Sequence, residues 1–295
     1  MYSYDVDLLK TAFAAIIREN TSIETYAWLT EKISSLQNAS QFNTTFVTLP
    51  RKTGRAPIRL TQEQYESIAK IRPNLFIKHW TIDRLARVWL LLHPDTADRE
   101  KYFRNVENLF LAAEVNELVA LYSALPVLAY QEKWTARCSE GIRSNIGDVL
   151  KTIMCNNPYP SENLNEAAWN QMVLKAFFTE KPVEEIIGLD ERGNERLAKT
   201  LSDYAHERWA AHRPVNPLLW RCVGPYINEQ ILPDIEKLIS SDNKLEKDAA
   251  ALALYQSNYA PAKKLLIEKD RIDIENGKLS WDLVAEKTNE YVLQQ

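Results

Sequence analysis

Three side chains, Asp203, His206 and Glu207, have the types and spacing of an acid-base group. The helical pattern over residues 194–212 puts them at i, i+3 and i+4, which share one face of a helix. A carboxylate that orients an imidazole ring helps it to act as a general base. If the protein is an enzyme, these are its predicted catalytic residues. The alternative is a structural histidine on a solvated or interhelical face, so we assign no catalytic residue from the sequence.

The sequence motifs do not indicate a metal site or a cofactor site. His206 and Glu207 could begin a metalloprotease motif, but the next histidine, His212, lies about 120° away around the helix. The three cysteines, Cys138, Cys155 and Cys222, match no zinc spacing and lie on apolar helical patterns. There is no phosphate-binding glycine loop and no nucleophile elbow. We therefore predict buried thiols, no metal and no cofactor.

A basic segment at residues 51–59 is a candidate anion-binding site. It carries four positive side chains, Arg51, Lys52, Arg55 and Arg59, in an acidic protein of net charge −4. Clustered arginines bind phosphate or carboxylate groups well. The alternative is a solvated basic loop. In the next helix, Asp83 and Arg87 stand at i and i+4, a spacing that usually marks a surface ion pair.

Helices must position these residues, since the chain is poor in glycine. Seven glycines in 295 residues are well below the usual share of about 7%. Glycine supplies the turns of strand-rich and nucleotide-binding folds, so its scarcity favours helices with short connections. Apolar residues recur at helical spacing through most of the chain. We predict an all-α fold, an irregular right-handed array of helix pairs with HEAT-like, α-solenoid packing. An irregular helical bundle is the alternative.

The predicted organisation is one continuous domain in four stretches. Residues 1–40 form an N-terminal helical hairpin, and 41–60, with Pro50, Gly54 and Pro57, form an irregular basic loop. Residues 61–212 form a central helical array, and 213–295 form C-terminal HEAT-like helices. Gly54, Gly141 and Gly224 are where we expect close backbone contact with a ligand or a neighbouring helix.

Charge and hydropathy limit the environment of the protein. The acidic balance, with a sequence pI of about 5.7, gives no basic field for nucleic acid. The longest apolar stretch contains Glu114 and Glu117, so we predict no integral membrane segment. The first residues lack a basic and an apolar region, and the odd cysteine count suits a reducing compartment. We expect a cytoplasmic protein.

Ordered motifs of this chain resemble the signature of the EboA family. They are EGIRSN at 140–145, NPYP at 157–160, WNQMVLKA at 169–176, DYAHERWAA at 203–211 and LWRCVGPY at 219–226. Pro50, Arg51, Gly54 and the segment 80–92 also match, so the resemblance runs from about residue 50 to 226. One departure is His212, where the resemblance leads us to expect glycine.

The resemblance implies a metabolite-traffic protein of the Ebo gene cluster with no established catalytic residues. It implies partners among the other cluster proteins, including prenyltransferase-like and TatD-type hydrolase-like proteins. Our preferred interpretation is a non-enzymatic binding or scaffold protein in the export of a secondary-metabolite precursor. The alternatives are a small-molecule enzyme using His206 with Asp203 or Glu207, and a purely structural interaction subunit with a large exposed apolar patch.

We predict that polar motif residues on otherwise apolar helices line one groove. The groove would hold an anionic or prenylated small molecule, or a partner protein of the cluster. Its predicted ligand- or partner-binding residues are Arg51, Arg55, Arg143, Asn145, Tyr159, His206, Glu207, Arg208 and Arg221.

Overall fold

The protein is built from α-helices, as the sequence predicts. The computed structural model describes the backbone of residues 1–36 and 38–293, and the side chains of these residues up to 290. Within these ranges the extended structure is one isolated antiparallel bridge, between Pro57 and Thr81. Gln37, in the predicted N-terminal hairpin, and Gln294 and Gln295, in the predicted C-terminal helices, lie outside the described residues. The all-α prediction is confirmed, and the HEAT-like repeat remains a prediction.

The chain divides into two compact units, and the predicted single continuous domain stays a prediction. Unit 1 spans Met1–Asn165 and unit 2 spans Glu166–Gln295. The division falls after Asn165, so it differs from the predicted boundaries at 60 and 212. Of the predicted binding residues, unit 1 holds Arg51, Arg55, Arg143, Asn145 and Tyr159, and unit 2 holds the others.

Unit 1 contains eleven α-helices in its described residues. They are α1 Val6–Asn20, α2 Ile23–Ser34, α3 Ala39–Thr48, α4 Pro50–Thr53, α5 Gln62–Ile71, α6 Ile82–Leu91, α7 Arg99–Ala112, α8 Val115–Ala124, α9 Thr135–Arg143, α10 Gly147–Met154 and α11 Tyr159–Asn163. Helix α8 packs against α6 and α10, and α1 packs against α5 and α6. The strongly apolar α6 and α8 therefore form the centre of this unit.

Residues 41–60 are mostly helical, so the prediction of an irregular loop there is wrong. Asn38 caps α3 by accepting a hydrogen bond from the Gln41 amide at 3.0 Å, and Phe42 and Phe46 bury one face of that helix. This apolar stripe is short and most of the other residues of α3 are polar, so the sequence pattern did not indicate a helix. The irregular part begins at Gly54, with φ 71°. It runs beside the segment before α6, where the Ile58 amide donates to the Trp80 carbonyl at 3.0 Å.

The Asp83–Arg87 pair lies in the core of unit 1, not on the surface as its spacing indicated. The Arg87 side chain is 2% exposed and lies 3.1 Å from Asp83. It also lies 3.5 Å from Glu117 of α8, and its Nε donates to the Phe46 carbonyl at 3.0 Å. A buried charge requires such partners, because an unpaired one is costly in a low-dielectric interior. The pair therefore joins α3, α6 and α8.

Unit 2 contains eight α-helices in its described residues. They are α12 Glu166–Phe178, α13 Glu195–Ala210, α14 Leu219–Val223, α15 Leu232–Ile239, α16 Lys244–Gln256, α17 Ala260–Lys263, α18 Glu268–Glu275 and α19 Trp281–Leu293. Helix α16 packs against α14, α15 and α19. Its residues 248–254 are all buried, and most of them are alanine or leucine. This alanine-rich helix is the centre of unit 2.

Two glycines allow close packing in the two units, as predicted. A Cβ atom on Gly141 of α9 would lie 2.6 Å from the ring of Tyr122. A Cβ atom on Gly224, directly after α14, would lie 2.8 Å from the Ala253 Cα of α16. Real Cβ atoms do not approach other heavy atoms so closely, so a side chain at either position would push its neighbours apart.

Candidate functional site

Helix α13 positions the residues with which the sequence analysis began. Asn194 caps it by accepting a hydrogen bond from the Leu197 amide at 2.9 Å. Leu197, Leu201 and Ala205 are buried along one face. The helix ends before His212, whose φ of 55° is left-handed. His206 is one residue past the buried Ala205, so its ring leaves α13 at the edge of the apolar face.

The His206 imidazole is held by Asp234 of α15, not by Asp203 or Glu207. Its Nε2 atom lies 2.6 Å from Asp234 Oδ1. The other carboxylate oxygen, Oδ2, accepts a hydrogen bond from the Ser202 hydroxyl at 2.7 Å. The Asp234 side chain is only 8% exposed, whereas that of His206 is 52% exposed. Asp203 and Glu207 are both exposed.

This geometry places the carboxylate, rather than the imidazole, at the centre of the cluster. Ser202 and His206 both donate to Asp234, so the serine hydroxyl is hydrogen-bonded to the carboxylate and not to the imidazole, unlike the serine of a Ser-His-Asp triad. The Nε2 atom of His206 carries a proton, because it faces a carboxylate. The edge of the ring that bears Nδ1 is the one free to meet solvent or a ligand.

Aromatic rings are layered beside His206. Trp209 stacks on the buried Trp220, with centroids 5.7 Å apart and an interplanar angle of 19°. Lys237 Nζ of α15 lies 3.8 Å from the Trp209 ring centroid, in cation–π contact. The His206 ring centroid lies 5.8 Å from that of Trp209, with the two rings tilted by 32°. We call His206, Trp209 and Lys237, with Asp234 beneath them, the α13–α15 surface.

The remaining unit 2 candidates have other partners. Arg208 is two residues from His206, so it leaves α13 on the opposite side, and its Nε donates to the Pro214 carbonyl at 3.0 Å. Arg221 forms a two-pronged ion pair with Asp190 at 2.7 and 2.6 Å. Within unit 2, therefore, Arg208 and Arg221 each have a partner other than His206. Their predicted place in one groove with His206 stays a prediction.

One groove of unit 2 lies between α12 and α13. It has a volume of about 130 Å³ and is lined by Ala167, Asn170, Gln171, Leu174, Arg196 and Thr200. His206 is not part of this lining.

Tyr159 is a core residue of unit 1, and it is not available to a ligand. Its side chain is fully buried, and its hydroxyl donates to the Gln131 carbonyl at 2.6 Å. Burial raises the pKa of this phenol far above its usual range. Arg51, Arg55, Arg143 and Asn145 are exposed, so their predicted role in binding stays a prediction.

The cysteines lie in the core, as predicted. Cys138, Cys155 and Cys222 are buried, and none of the three is joined in a disulfide. Burial raises the pKa of Cys138 and of Cys222 to about 12, so both are thiols at neutral pH and poor nucleophiles. In the part of the chain that the structure describes, no three His, Cys, Asp or Glu side chains are grouped as metal ligands would be.

The sequence analysis did not identify Asp234, Ser202 or Lys237, although the apolar pattern of α15 gave one indication of a buried carboxylate. The buried residues Ile231, directly before α15, and Ile235 and Leu238 within it define an apolar stripe. Asp234 stands on this stripe, three residues after Ile231. A carboxylate on a buried face needs a partner, and Ser202 occupies the matching position on the apolar face of α13. Which two helices would meet could not be read from either pattern.

Fold and site together define an all-helical protein with a preformed polar and aromatic surface. No helix in the described ranges is both long and apolar enough to cross a membrane.

The chain belongs to the EboA family. The sequence model of that family, described as "Metabolite traffic protein EboA", matches residues 9–224, which confirms the resemblance. The match includes His206 and Trp209, while Asp234 and Lys237 follow it. No curated protein and no solved structure matches the chain.

Proposed function

We propose that the chain is a non-enzymatic binding or scaffold protein for metabolite traffic. It acts in the cytoplasm with other proteins of the Ebo cluster and serves the export of a secondary-metabolite precursor. The observation that carries the proposal is the α13–α15 surface, on which an imidazole, an indole and an ammonium group are fixed beside one another. Family membership supplies the context of metabolite traffic.

Preorganisation is the physical reason why this surface suits binding. Asp234 fixes the His206 ring, and Trp220 supports Trp209 from beneath. These side chains lose their freedom when the protein folds, so a ligand or partner does not have to order them. Tryptophan residues on a rigid support are frequent energetic centres of interfaces.

The charge of the surface indicates what it binds. Lys237 is cationic, and the half-buried Trp209 indole adds apolar surface beside the His206 imidazole. This combination fits an anionic or prenylated small molecule, or an acidic segment of a cluster protein such as the prenyltransferase-like or TatD-type hydrolase-like partner.

An enzyme remains the second candidate, because one observation favours it. A buried carboxylate 2.6 Å from an imidazole is how many proteins orient a general base. The candidate acid-base pair is His206 with Asp234, whereas the sequence predicted His206 with Asp203 or Glu207. This candidate expects turnover of a small molecule that is lost in Asp234→Asn while binding is kept.

A structural subunit would rely on apolar contacts instead. Leu111 and Val115, where α7 leads into α8 in unit 1, are 74% and 42% exposed, and Phe178 in unit 2 is 70% exposed. Replacing these side chains with polar ones would then abolish partner binding, while changes on the α13–α15 surface would not.

Co-purification from cells that express the whole Ebo cluster tests the proposal. Bound proteins and small molecules are identified by mass spectrometry for the wild type, His206→Ala, Lys237→Glu and the matched charge reversal Lys264→Glu. Lys264 is exposed and belongs to the end of α17. We expect a specific Ebo protein or metabolite with the wild type and Lys264→Glu that is lost in the other two. Equal recovery from all four variants would contradict the proposal.

A further inference from the structure

Helix α6 carries two arginines in opposite electrostatic situations. Arg87 is neutralised by Asp83 and Glu117. Arg84, three residues earlier, forms no ion pair among the residues that the structure describes. Its Nε donates to the Ser123 hydroxyl of α8 at 2.6 Å, and its guanidinium carbon lies 4.7 Å from the Trp80 ring centroid.

The outer edge of the Arg84 guanidinium is unused. Within the described ranges, no hydrogen bond joins Nη1 or Nη2 to another group. Neither atom is among the buried polar atoms that lack a partner, so both remain within reach of solvent. The nearest acid along the helix, Asp83, is already occupied, because Thr81 donates to one of its oxygens at 2.6 Å and Arg87 to the other at 3.1 Å.

This guanidinium is nevertheless largely removed from water. Desolvation by burial, opposed by the Asp83 charge, lowers the pKa of Arg84 to about 9. The group thus stays charged at neutral pH, and Asp83, whose charge acts on it, forms no ion pair with it. Holding a cation in this way costs stability, unless an anion from outside completes the site.

The surroundings hold the guanidinium in one orientation. Trp80 is 5% exposed, so its ring forms a rigid wall along one face of the guanidinium. The Ser123 hydroxyl accepts from Nε and donates to the Val119 carbonyl, which fixes its direction. The free Nη1 and Nη2 donors form the planar fork that matches the two oxygens of a carboxylate or phosphate.

We propose that Arg84, stacked on Trp80 and positioned by Ser123, is a binding site for the carboxylate or phosphate group of a small molecule. The site belongs to unit 1 and stands independently of the α13–α15 surface. The loop that carries Arg55 is joined to this region, since the Ile82 amide donates to the Ala56 carbonyl at 2.9 Å.

The test titrates the intact protein with sodium phosphate and, separately, with sodium acetate, in chloride buffer at constant ionic strength. Binding is followed by calorimetry and by the ¹⁵N-resolved arginine Nε–H signals, with the Arg84 signal assigned by its loss in Arg84→Gln. Variants Arg84→Gln and Arg84→Lys are compared with Arg104→Gln, which removes an exposed arginine of unit 1. The acetate and phosphate arms distinguish the two kinds of oxyanion.

We expect saturable binding of at least one anion and a shift of the Arg84 Nε–H signal. Affinity should fall at least tenfold in Arg84→Gln, fall less in Arg84→Lys, and stay unchanged in Arg104→Gln. In the absence of anion, Arg84→Gln should be no less stable than the wild type. The proposal is overturned if neither anion moves the Arg84 signal of the wild type, or if Arg84→Gln binds as tightly as the wild type. A variant that loses stability without anion and keeps its affinity would make Arg84 purely structural.

Discussion

Replacing Asp234 with alanine should destabilise unit 2 more than any other change in the His206 cluster. The substitution removes the acceptor of two hydrogen bonds, from Ser202 and from His206. Ser202 is 4% exposed, so its orphaned hydroxyl costs about 1–3 kcal/mol. The His206 side chain is half exposed and regains water, which limits its share to about 0–1 kcal/mol. We therefore expect a loss of about 2–3 kcal/mol in the free energy of unfolding.

Two comparisons make this prediction specific. Asp234→Asn keeps an acceptor and the shape of the side chain, so it should cost about 1 kcal/mol. Asp203→Ala and Glu207→Ala remove the partners that helical spacing indicated. Both side chains are exposed, so each change should stay within about 0.5 kcal/mol.

The assay is urea unfolding followed by circular dichroism and tryptophan fluorescence at pH 7. The slope against urea should stay constant, so that midpoint shifts report stability. A double-mutant cycle between Ser202→Ala and Asp234→Ala should give a coupling energy of about 1 kcal/mol or more. If Asp203→Ala or Glu207→Ala costs as much as Asp234→Ala, the carboxylate of α15 is not what holds this cluster.

Three further changes test other parts of the structure. His212→Gly should stabilise the protein by about 0.5–1 kcal/mol in urea unfolding, because φ is 55° there, whereas His212→Ala should not. Gly224→Ala should lower the free energy of unfolding by about 1–3 kcal/mol in the same assay, because the new Cβ atom would meet the α16 backbone. The control is Gly147→Ala, which should leave the free energy of unfolding unchanged, because no atom lies within 4 Å of a Cβ at that position. Burial lowers the pKa of the His93 imidazole to about 4. Between about pH 6.5 and 4, the His93 side chain is therefore protonated in the unfolded state but not in the folded state. The free energy of unfolding should fall as the pH falls through that window. Allowing for solvent around the partly accessible ring, the loss is about 1–2 kcal/mol, and thermal melts from pH 7 to 4 should show a shallower loss in His93→Gln.

The sequence predicted the helices far better than it predicted their partners. The boundaries of α12, α15 and α16 follow from caps, prolines and apolar spacing, which are local. The Ser202–Asp234 and Arg84–Ser123 contacts join residues 32 and 39 positions apart. Local patterns indicate that such polar residues are buried, but not which helix lies opposite them.

The glycines show the same limit, because each indicates close packing but not the helix that packs there. Their scarcity predicts the fold class, and Gly141 and Gly224 are indeed points of close approach. The neighbour, however, is α8 and α10 in one case and α16 in the other. A glycine in a helical pattern indicates that something packs closely there, and only the tertiary fold identifies it.

Site-specific photo-crosslinking tests most directly whether the α13–α15 surface binds. The photoreactive amino acid is placed at Ala210, which is exposed on α13 four residues after His206. The control position is Lys264. In cells that express the whole Ebo cluster, we predict an adduct with a cluster protein or its metabolite from position 210 and none from position 264. No adduct from position 210, or the same adduct from both positions, would contradict the account.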